Sequence, residues 1–230
     1  MKKLLLTMMA WVMTAIALQA KTLVVYYSFT NNCRTIANDL KGQLADADLV
    51  EVLPAEEGLD YAANNYAIGS ALISAIRNNP NDASSYSAIK DVEVDFTQYD
   101  DVVIATPLWW DNMAAPMQTF LFQNGKNMAG KKIGLIVSSA SSGISDVEAD
   151  AKRLIPEGNF TMSLWIRSSQ VANCHSMIAS WLSETGIGTT TGISTVENKG
   201  KTSISINGNH LLVNGDFKSV LTSIKVKLEK

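Results

Sequence analysis

Residues 28–33 contain the side chains needed to hold a phosphate monoester. Ser28, Thr30 and Asn32 provide hydrogen-bond donors. A helix predicted to begin near Cys33 would add unpaired backbone N–H groups and the positive end of its dipole, so such a site needs no lysine or arginine. Because Ser, Thr and Asn are also favoured in a turn that only caps a helix, these residues leave two interpretations open, an anion site or a simple capping turn.

A second segment, residues 107–112, contains two adjacent tryptophans. The planar apolar faces of Trp109 and Trp110 suit stacking on a flat aromatic ring, although one of the two is expected to belong to the core. Backbone N–H groups near Asn112 and Met113 are expected to reach the polar edge of such a ring. This segment therefore predicts one wall of a ligand site.

A third segment, residues 139–143, is rich in serine and ends on glycine. Its small side chains would let backbone amides approach a ligand closely, but a serine-rich loop alone is weak evidence for a site. Ser141, Ser142 and Gly143 do not form a nucleophile elbow, which requires Gly-x-Ser-x-Gly between a strand and a helix.

Alternating strands and helices position these three segments. Apolar, β-branched runs predict buried parallel strands at residues 22–27, 49–52, 102–106, 132–137 and 162–166. Helical spacing predicts helices from Cys33 and over residues 61–77, 116–123, 146–154 and 176–184. Because a (β/α)₈ barrel needs about 250 residues, the pattern predicts an α/β fold with a doubly wound five-stranded parallel sheet. Ligands of such sheets bind at the carboxyl ends of the strands, where the three segments would meet.

The two ends of the chain differ from this pattern. Lys2 and Lys3, an apolar run over residues 4–18 and a small residue at Ala20 are typical of a secretory signal peptide. The run is shorter than the ~20 apolar residues of a transmembrane helix, so no membrane anchor is expected after cleavage. The predicted organisation is a signal peptide (1–20), an α/β domain (21–187) and a β-rich appendage (188–230) with a hairpin turn at residues 207–208. The protein is expected to be periplasmic or extracellular.

Charge and composition exclude several classes of function. Loss of Lys2 and Lys3 changes the formal net charge from −3 to −5, and without a basic run the chain is not expected to bind nucleic acid. His175 and His210 stand apart from any cluster of metal-ligating residues, so neither a metal site nor a catalytic histidine is expected.

Two of the three segments carry a family resemblance. Residues 24–33, Val-Val-Tyr-Tyr-Ser-Phe-Thr-Asn-Asn-Cys, resemble the first strand and phosphate loop of the flavodoxin family, usually Ser/Thr-x-Thr-Gly-Asn-Thr after an apolar strand. Residues 105–110, Ala-Thr-Pro-Leu-Trp-Trp, are similar to that family's flavin loop, and the likeness extends to Trp181 and Leu182. It covers roughly residues 22–187.

The resemblance implies a flavodoxin-like fold and FMN as the cofactor. It implies electron transfer, or NAD(P)H-dependent reduction of a small acceptor such as a quinone, with a small-molecule or protein redox partner that no residue identifies. The expected FMN-binding residues are Ser28, Thr30, Asn31, Asn32, Cys33, Pro107, Leu108, Trp109, Trp110, Asn112, Ser139, Ser141 and Gly143.

Two positions depart from the family's phosphate loop. Asn31 replaces the usual glycine and is expected to add bulk at the phosphate, although asparagine tolerates a left-handed backbone. Cys33 replaces a hydroxyl residue, and losing one hydrogen bond to a charged phosphate costs about 1.5–3 kcal/mol. The signal sequence also lacks twin arginines, which implies export of an unfolded chain without FMN. The alternative is therefore a cofactor-free binding or structural module.

The two cysteines, Cys33 and Cys174, would suit a disulfide in an exported protein. The strand order of flavodoxin-like sheets, 2-1-3-4-5, instead separates the ends of strands 1 and 5 by roughly 14 Å, at about 4.8 Å for each of three steps. A disulfide requires Cα atoms within about 7 Å. We therefore expect two free thiols, with some thiolate character at Cys33 because it lies at a helix N-terminus.

Overall fold

Seven strands form one sheet in the computed structural model, which describes residues 20–189, 203–207 and 210–214. The central strands are continuous apolar runs and are buried, as expected of parallel strands covered on both faces. The strands are β1 (Thr22–Tyr26), β2 (Ala47–Glu51), β3 (Asp101–Trp109), β4 (Asn112–Met113), β5 (Lys132–Ser139), β6 (Asn159–Phe160) and β7 (Leu164–Arg167). The order β2-β1-β3-β5, with β6 and β7 both paired to β5, confirms the predicted doubly wound sheet.

The outer strand, predicted as a single run over residues 162–166, is divided into β6 and β7. Phe160 pairs with Ile133 and Leu164 pairs with Ile136, so this edge has one residue more than its partner strand. Such an extra residue forms a bulge. The carbonyl of Met162, within the bulge, accepts a hydrogen bond of 2.7 Å from the indole of Trp181.

Helices cover both faces of the sheet. They are α1 (Asn32–Gln43), α2 (Ala63–Asn78), α3 (Ala115–Asn124), α4 (Ser145–Leu154) and α5 (Cys174–Thr185). Because side chains alternate along a strand, Val24 packs with residues of α1 and α5 in one core, whereas Leu23 and Val25 belong to the core that α3 and α4 cover.

The segment after β3 differs from the predicted loop. β3 continues to Trp109, and β4 folds back along it as an antiparallel partner. The two residues between them, Trp110 and Asp111, have φ values of 46° and 68°, and positive φ at both positions is what a tight hairpin turn requires. Asn-Gly or Asp-Gly usually fills such a turn, so the sequence Trp-Asp gave no signal for it.

The C-terminal region is described only in part. β8 (Ser203–Asn207) and β9 (His210–Asn214) form an antiparallel pair, in which Asn207 pairs with His210. The hairpin was predicted with its turn at residues 207–208, whereas Asn207 belongs to β8. Residues 1–19 of the predicted signal peptide lie outside the described residues, as does most of the predicted appendage. No helix of the described residues has the length and apolar character needed to cross a membrane.

Candidate functional site

A cavity of about 450 Å³ lies where β1, β3 and β5 end. It brings together nine of the predicted site residues: Ser28, Thr30, Asn32, Cys33, Pro107, Leu108, Trp109, Trp110 and Ser139. Asn31, Asn112, Ser141 and Gly143 do not line it. Phe29, Tyr61, Tyr66, Gly69, Ser138, Ala140 and Ser168 complete its wall.

The loop between β1 and α1 places hydrogen-bond donors at this cavity. Asn31 is the residue before α1 and has a left-handed backbone with φ 65°. The N–H groups of Asn32 and Cys33 lie in the first helical turn, where the helix itself offers no acceptor. Ser28 Oγ accepts the N–H of Arg34 at 3.2 Å, which leaves the Ser28 hydrogen free to donate. This donor set suits an anion.

Asn31 does not obstruct this donor set. Its side-chain oxygen accepts a hydrogen bond from the guanidinium of Arg34, and the residue is exposed. The bulk expected at the phosphate position is therefore outside the cavity, which corrects that expectation. The left-handed backbone explains why asparagine can replace glycine here.

Cys33 is a buried thiol rather than a reactive one. Only 2% of the residue is exposed, and burial raises the pKa of its thiol to about 12, although a hydrogen bond from the backbone of Ser138 opposes the shift. The predicted thiolate character is therefore wrong, because desolvation outweighs the helix dipole.

Cys33 and Cys174 are both free and buried, which confirms the absence of a disulfide between them. The spacing of the strands is not the only determinant of the distance between the two thiols, however. Cys174 begins α5, and α5 packs against α1 on one face of the sheet. The separation of the strands therefore does not by itself fix the separation of the cysteines.

Ser138, near the end of β5, has an unpaired hydroxyl. The residue is 4% exposed and lines the cavity, and its Oγ has no hydrogen-bond partner among the described residues. A buried polar atom without a partner costs free energy. A ligand atom in the cavity would relieve that cost.

The two tryptophans have different surroundings. Trp109 is 9% exposed and packs edge-on against Tyr27 and Phe29, with ring centroids 5.6 and 5.8 Å apart. Trp110 is 40% exposed. The expectation that one tryptophan belongs to the core is confirmed for Trp109, and Trp110 keeps an open aromatic face.

A further wall of the cavity, in addition to the three predicted segments, comes from α2. Tyr66 lies with its ring 6.4 Å from that of Trp110, and a Cβ atom on Gly69 would lie 3.1 Å from the Trp110 ring. Glycine at position 69 thus permits the close approach of Trp110 to α2. The paired asparagines before Tyr66 were the available signal, because asparagine tolerates left-handed backbone.

The first turn of α2 is not regular helix, in contrast to the predicted helix over residues 61–77. Asn64, Asn65 and Tyr66 have φ values of 53°, 56° and 63°. A left-handed conformation costs a residue such as tyrosine about 1–2 kcal/mol. Backbone strain of this kind is concentrated at functional sites, and here it carries a residue of the cavity wall.

A polar network outside the cavity holds the Trp110 turn. Arg77 of α2 donates to the Trp110 carbonyl and, at 2.5 Å, to Asn112 Oδ1. Asp150 of α4 accepts from Asn112 Nδ2 at 2.9 Å and from the Met113 N–H at 3.0 Å. The Met113 N–H is therefore not available to a ligand, because Asp150 accepts it, and neither Asn112 nor Met113 lines the cavity.

The described residues offer few side chains for metal binding or for histidine chemistry. Between residues 20 and 189, His, Cys, Asp and Glu side chains form no group of three or more that could hold a metal ion. His175 is mostly exposed and contacts Asp39 at 3.0 Å, so it links α5 to α1 away from the cavity.

Comparisons with known proteins agree on one architecture. A family model described as Flavodoxin matches residues 21–185. A flavoprotein from Lactobacillus acidophilus NCFM, solved in complex with FMN, is 22% identical, with a TM-score of 0.54 over 68% of this chain and 99% of that one. A Bacteroides eggerthii protein for which flavin binding has been suggested is 26% identical, with a TM-score of 0.57 over 73% and 99% of the two chains.

Proposed function

Because the chain belongs to the flavodoxin family, we propose that it binds FMN in the cavity at the ends of β1, β3 and β5. The proposed role is electron transfer, or NAD(P)H-dependent reduction of a small acceptor such as a quinone. The observation that carries the proposal is the composition of this cavity, which combines an anion-binding helix N-terminus, an open tryptophan face and an unpaired buried hydroxyl.

The hydrogen-bond donors of the loop between β1 and α1 support binding of the FMN phosphate at that end of the cavity. The N–H groups of Asn32 and Cys33, with the hydroxyls of Ser28 and Thr30, would hold the phosphate oxygens. The thiol of Cys33 contributes little, because it is a poor donor.

The aromatic and polar walls of the cavity support binding of the isoalloxazine ring of FMN. Trp110 offers the exposed face for the isoalloxazine, and the Ser138 hydroxyl offers a hydrogen bond to a polar ring atom. Ser139 is already fixed, since its Oγ accepts from the Trp165 indole at 2.8 Å and donates to the Ser142 carbonyl at 2.9 Å. The loop that follows β5, residues 139–143, therefore has a fixed shape.

The chemistry of the proposed function comes from the cofactor. FMN, when bound, carries electrons between a donor and an acceptor. The chain's own residues would bind and orient it, and the buried aromatic rings of Tyr27, Tyr61 and Trp109 pack together beside the site. The cavity volume of about 450 Å³ is typical of sites for small cofactors.

A cofactor-free binding or structural module is the second candidate. The observation that favours it is the buried thiol of Cys33 at a position where the family usually has a hydroxyl. Titration of the purified protein with FMN, followed by quenching of flavin fluorescence, separates the two candidates. We expect saturable 1:1 quenching. Fluorescence that stays unchanged up to millimolar protein would favour the cofactor-free module.

We also propose that the protein is exported and has a small-molecule or protein redox partner rather than nucleic acid. Support comes from the sequence of residues 1–20 and from the net negative charge. Fractionation of cells that produce the protein, with an intact mass for each fraction, tests the first part. A mass beginning at Lys21 outside the cytoplasm is expected, and an uncleaved cytoplasmic chain would contradict export.

A further inference from the structure

A second cavity, of about 260 Å³, is formed by residues of α2, β4, α3 and α4. Its walls are charged, whereas no acidic or basic residue lines the first cavity. The charged residues are Arg77, Asp150 and Arg153, and the others are Ile76, Pro80, Asn112 and Gln118. Two guanidiniums and one carboxylate leave this cavity with one positive charge in excess.

Asp150 and Arg153 offset each other within the cavity wall. Asp150 Oδ1 accepts from the Arg153 guanidinium at 3.1 Å. Asp150 Oδ2 accepts from Asn112 Nδ2 and from the Met113 N–H. The Arg153 guanidinium also donates to Gln118 Oε1 at 2.8 Å. The buried carboxylate of Asp150 therefore has its charge paired and both oxygens occupied.

Arg77 carries the positive charge that remains. Its Nε donates to Asn112 Oδ1 at 2.5 Å, and its Nη2 donates to the Trp110 carbonyl. Both acceptors are neutral, and among the described residues Nη1 has no acceptor. A guanidinium stays charged and presents its donors in one plane. Because Arg77 is exposed, a ligand can reach these donors.

We propose that the second cavity binds a small organic acid through its carboxylate, with Arg77 as the main contact. A carboxylate can accept two parallel hydrogen bonds from a guanidinium. Its single negative charge balances the positive charge in excess, whereas a phosphate dianion would bring a second negative charge near Asp150. Ile76 and Pro80, which also line the cavity, would contact the carbon chain of the acid.

This inference goes beyond the proposed function, because it requires no flavin. The two cavities have no lining residue in common, but they share the turn at Trp110. Trp110 lines the first cavity, and Arg77 of the second cavity binds the Trp110 carbonyl. A carboxylate on Arg77 would therefore be linked to the turn that carries the open aromatic face.

Sodium butyrate is the probe that tests the proposal. Butyramide, which has the same carbon chain without the charge, is the control ligand. Dissociation constants come from proton–nitrogen NMR titrations of the purified protein without flavin, with sodium chloride added to keep the ionic strength constant.

Three variants accompany the parent protein in these titrations. Arg77→Gln removes the charge and the planar set of donors. Lys152→Gln is the matched control, since Lys152 is an exposed cation of α4 that does not line the cavity. Arg77→Lys keeps the charge without the planar donors, and it serves if Arg77→Gln does not fold.

We expect millimolar butyrate to shift the signals of Arg77 and Asn112 saturably, and butyramide to shift neither. Arg77→Gln should weaken butyrate binding about fivefold or more, as for loss of a charge-assisted contact, and Arg77→Lys should weaken it less. Lys152→Gln should change the dissociation constant by less than about twofold. Inorganic phosphate at about pH 8, where it is mostly a dianion, should bind more weakly than butyrate.

Butyramide binding as tight as that of butyrate would overturn the assignment, as would an Arg77→Gln or Arg77→Lys variant that binds butyrate as tightly as the parent. Phosphate binding tighter than that of butyrate would overturn the assignment of a carboxylate ligand. A protein that binds butyrate but no flavin would refute only the proposed function. A protein that binds FMN but no butyrate would refute only this inference.

Discussion

Replacement of Trp110 by alanine should separate flavin binding from folding. Trp110 is 40% exposed, so roughly 100 Å² of a side chain of about 250 Å² is available for a flavin to cover. At about 25 cal/mol per Å², complete coverage is worth about 2.5 kcal/mol and half coverage about 1.3 kcal/mol. Trp110→Ala should therefore weaken FMN binding by about tenfold or more.

Two control variants distinguish an effect on flavin binding from an effect on folding. Trp109 is 9% exposed and lies within the aromatic core, so Trp109→Ala should lower the free energy of unfolding by about 3–5 kcal/mol. Phe122 is 36% exposed and stacks on Tyr86, neither of which lines the cavity, so Phe122→Ala should leave FMN binding unchanged.

The assays are FMN titration by fluorescence quenching and urea unfolding followed by circular dichroism. A Trp110→Ala variant that is folded and binds FMN as tightly as the parent would refute the assignment of Trp110 as the flavin-facing aromatic. So would a loss of FMN binding of the same size in Phe122→Ala, since that variant changes no residue of the site.

Three further predictions concern buried polar groups. Burial raises the pKa of Cys33 to about 12, so its thiolate fraction at pH 8 is negligible, and burial also raises the pKa of Cys174; since both residues are buried, neither thiol should react with an aromatic disulfide reagent until urea is added, and rapid reaction of the native protein would contradict this. Cys33→Thr restores a hydroxyl and should tighten FMN binding about tenfold or more, equivalent to about 1.5–3 kcal/mol; an equal or weaker affinity in the same titration would count against the donor set. Asp150→Ala leaves the Met113 N–H and Asn112 Nδ2 without this acceptor and removes one of the acceptors of Arg153, so it should cost about 2 kcal/mol in urea unfolding, whereas a loss below about 1 kcal/mol would show that the network is unimportant.

Local sequence patterns were sufficient to predict the sheet and its first loop. The apolar run of β1, the polar residues 28–32 and the helix that follows are adjacent in the chain, so short-range rules describe them. The positions of Trp109 and Trp110 followed from the strand before them. Strand order was predicted from the family resemblance, because periodicity alone does not specify which strands pair.

The remaining features depend on contacts between distant residues. Asn112 is held by Arg77 and Asp150, which come from two different helices. Tyr66 reaches the cavity through a left-handed turn that no helical pattern indicates. The raised pKa of Cys33 depends on burial, whereas its position in the sequence indicated only the helix dipole.

The flavin content of the protein purified from its own cellular compartment shows whether the chain binds FMN. The measurement is the visible absorption spectrum, followed by release of the bound compound with heat and its identification by mass. We expect a yellow protein that releases FMN, approaching one molecule for each chain. A colourless protein that also fails to take up added FMN would refute FMN binding.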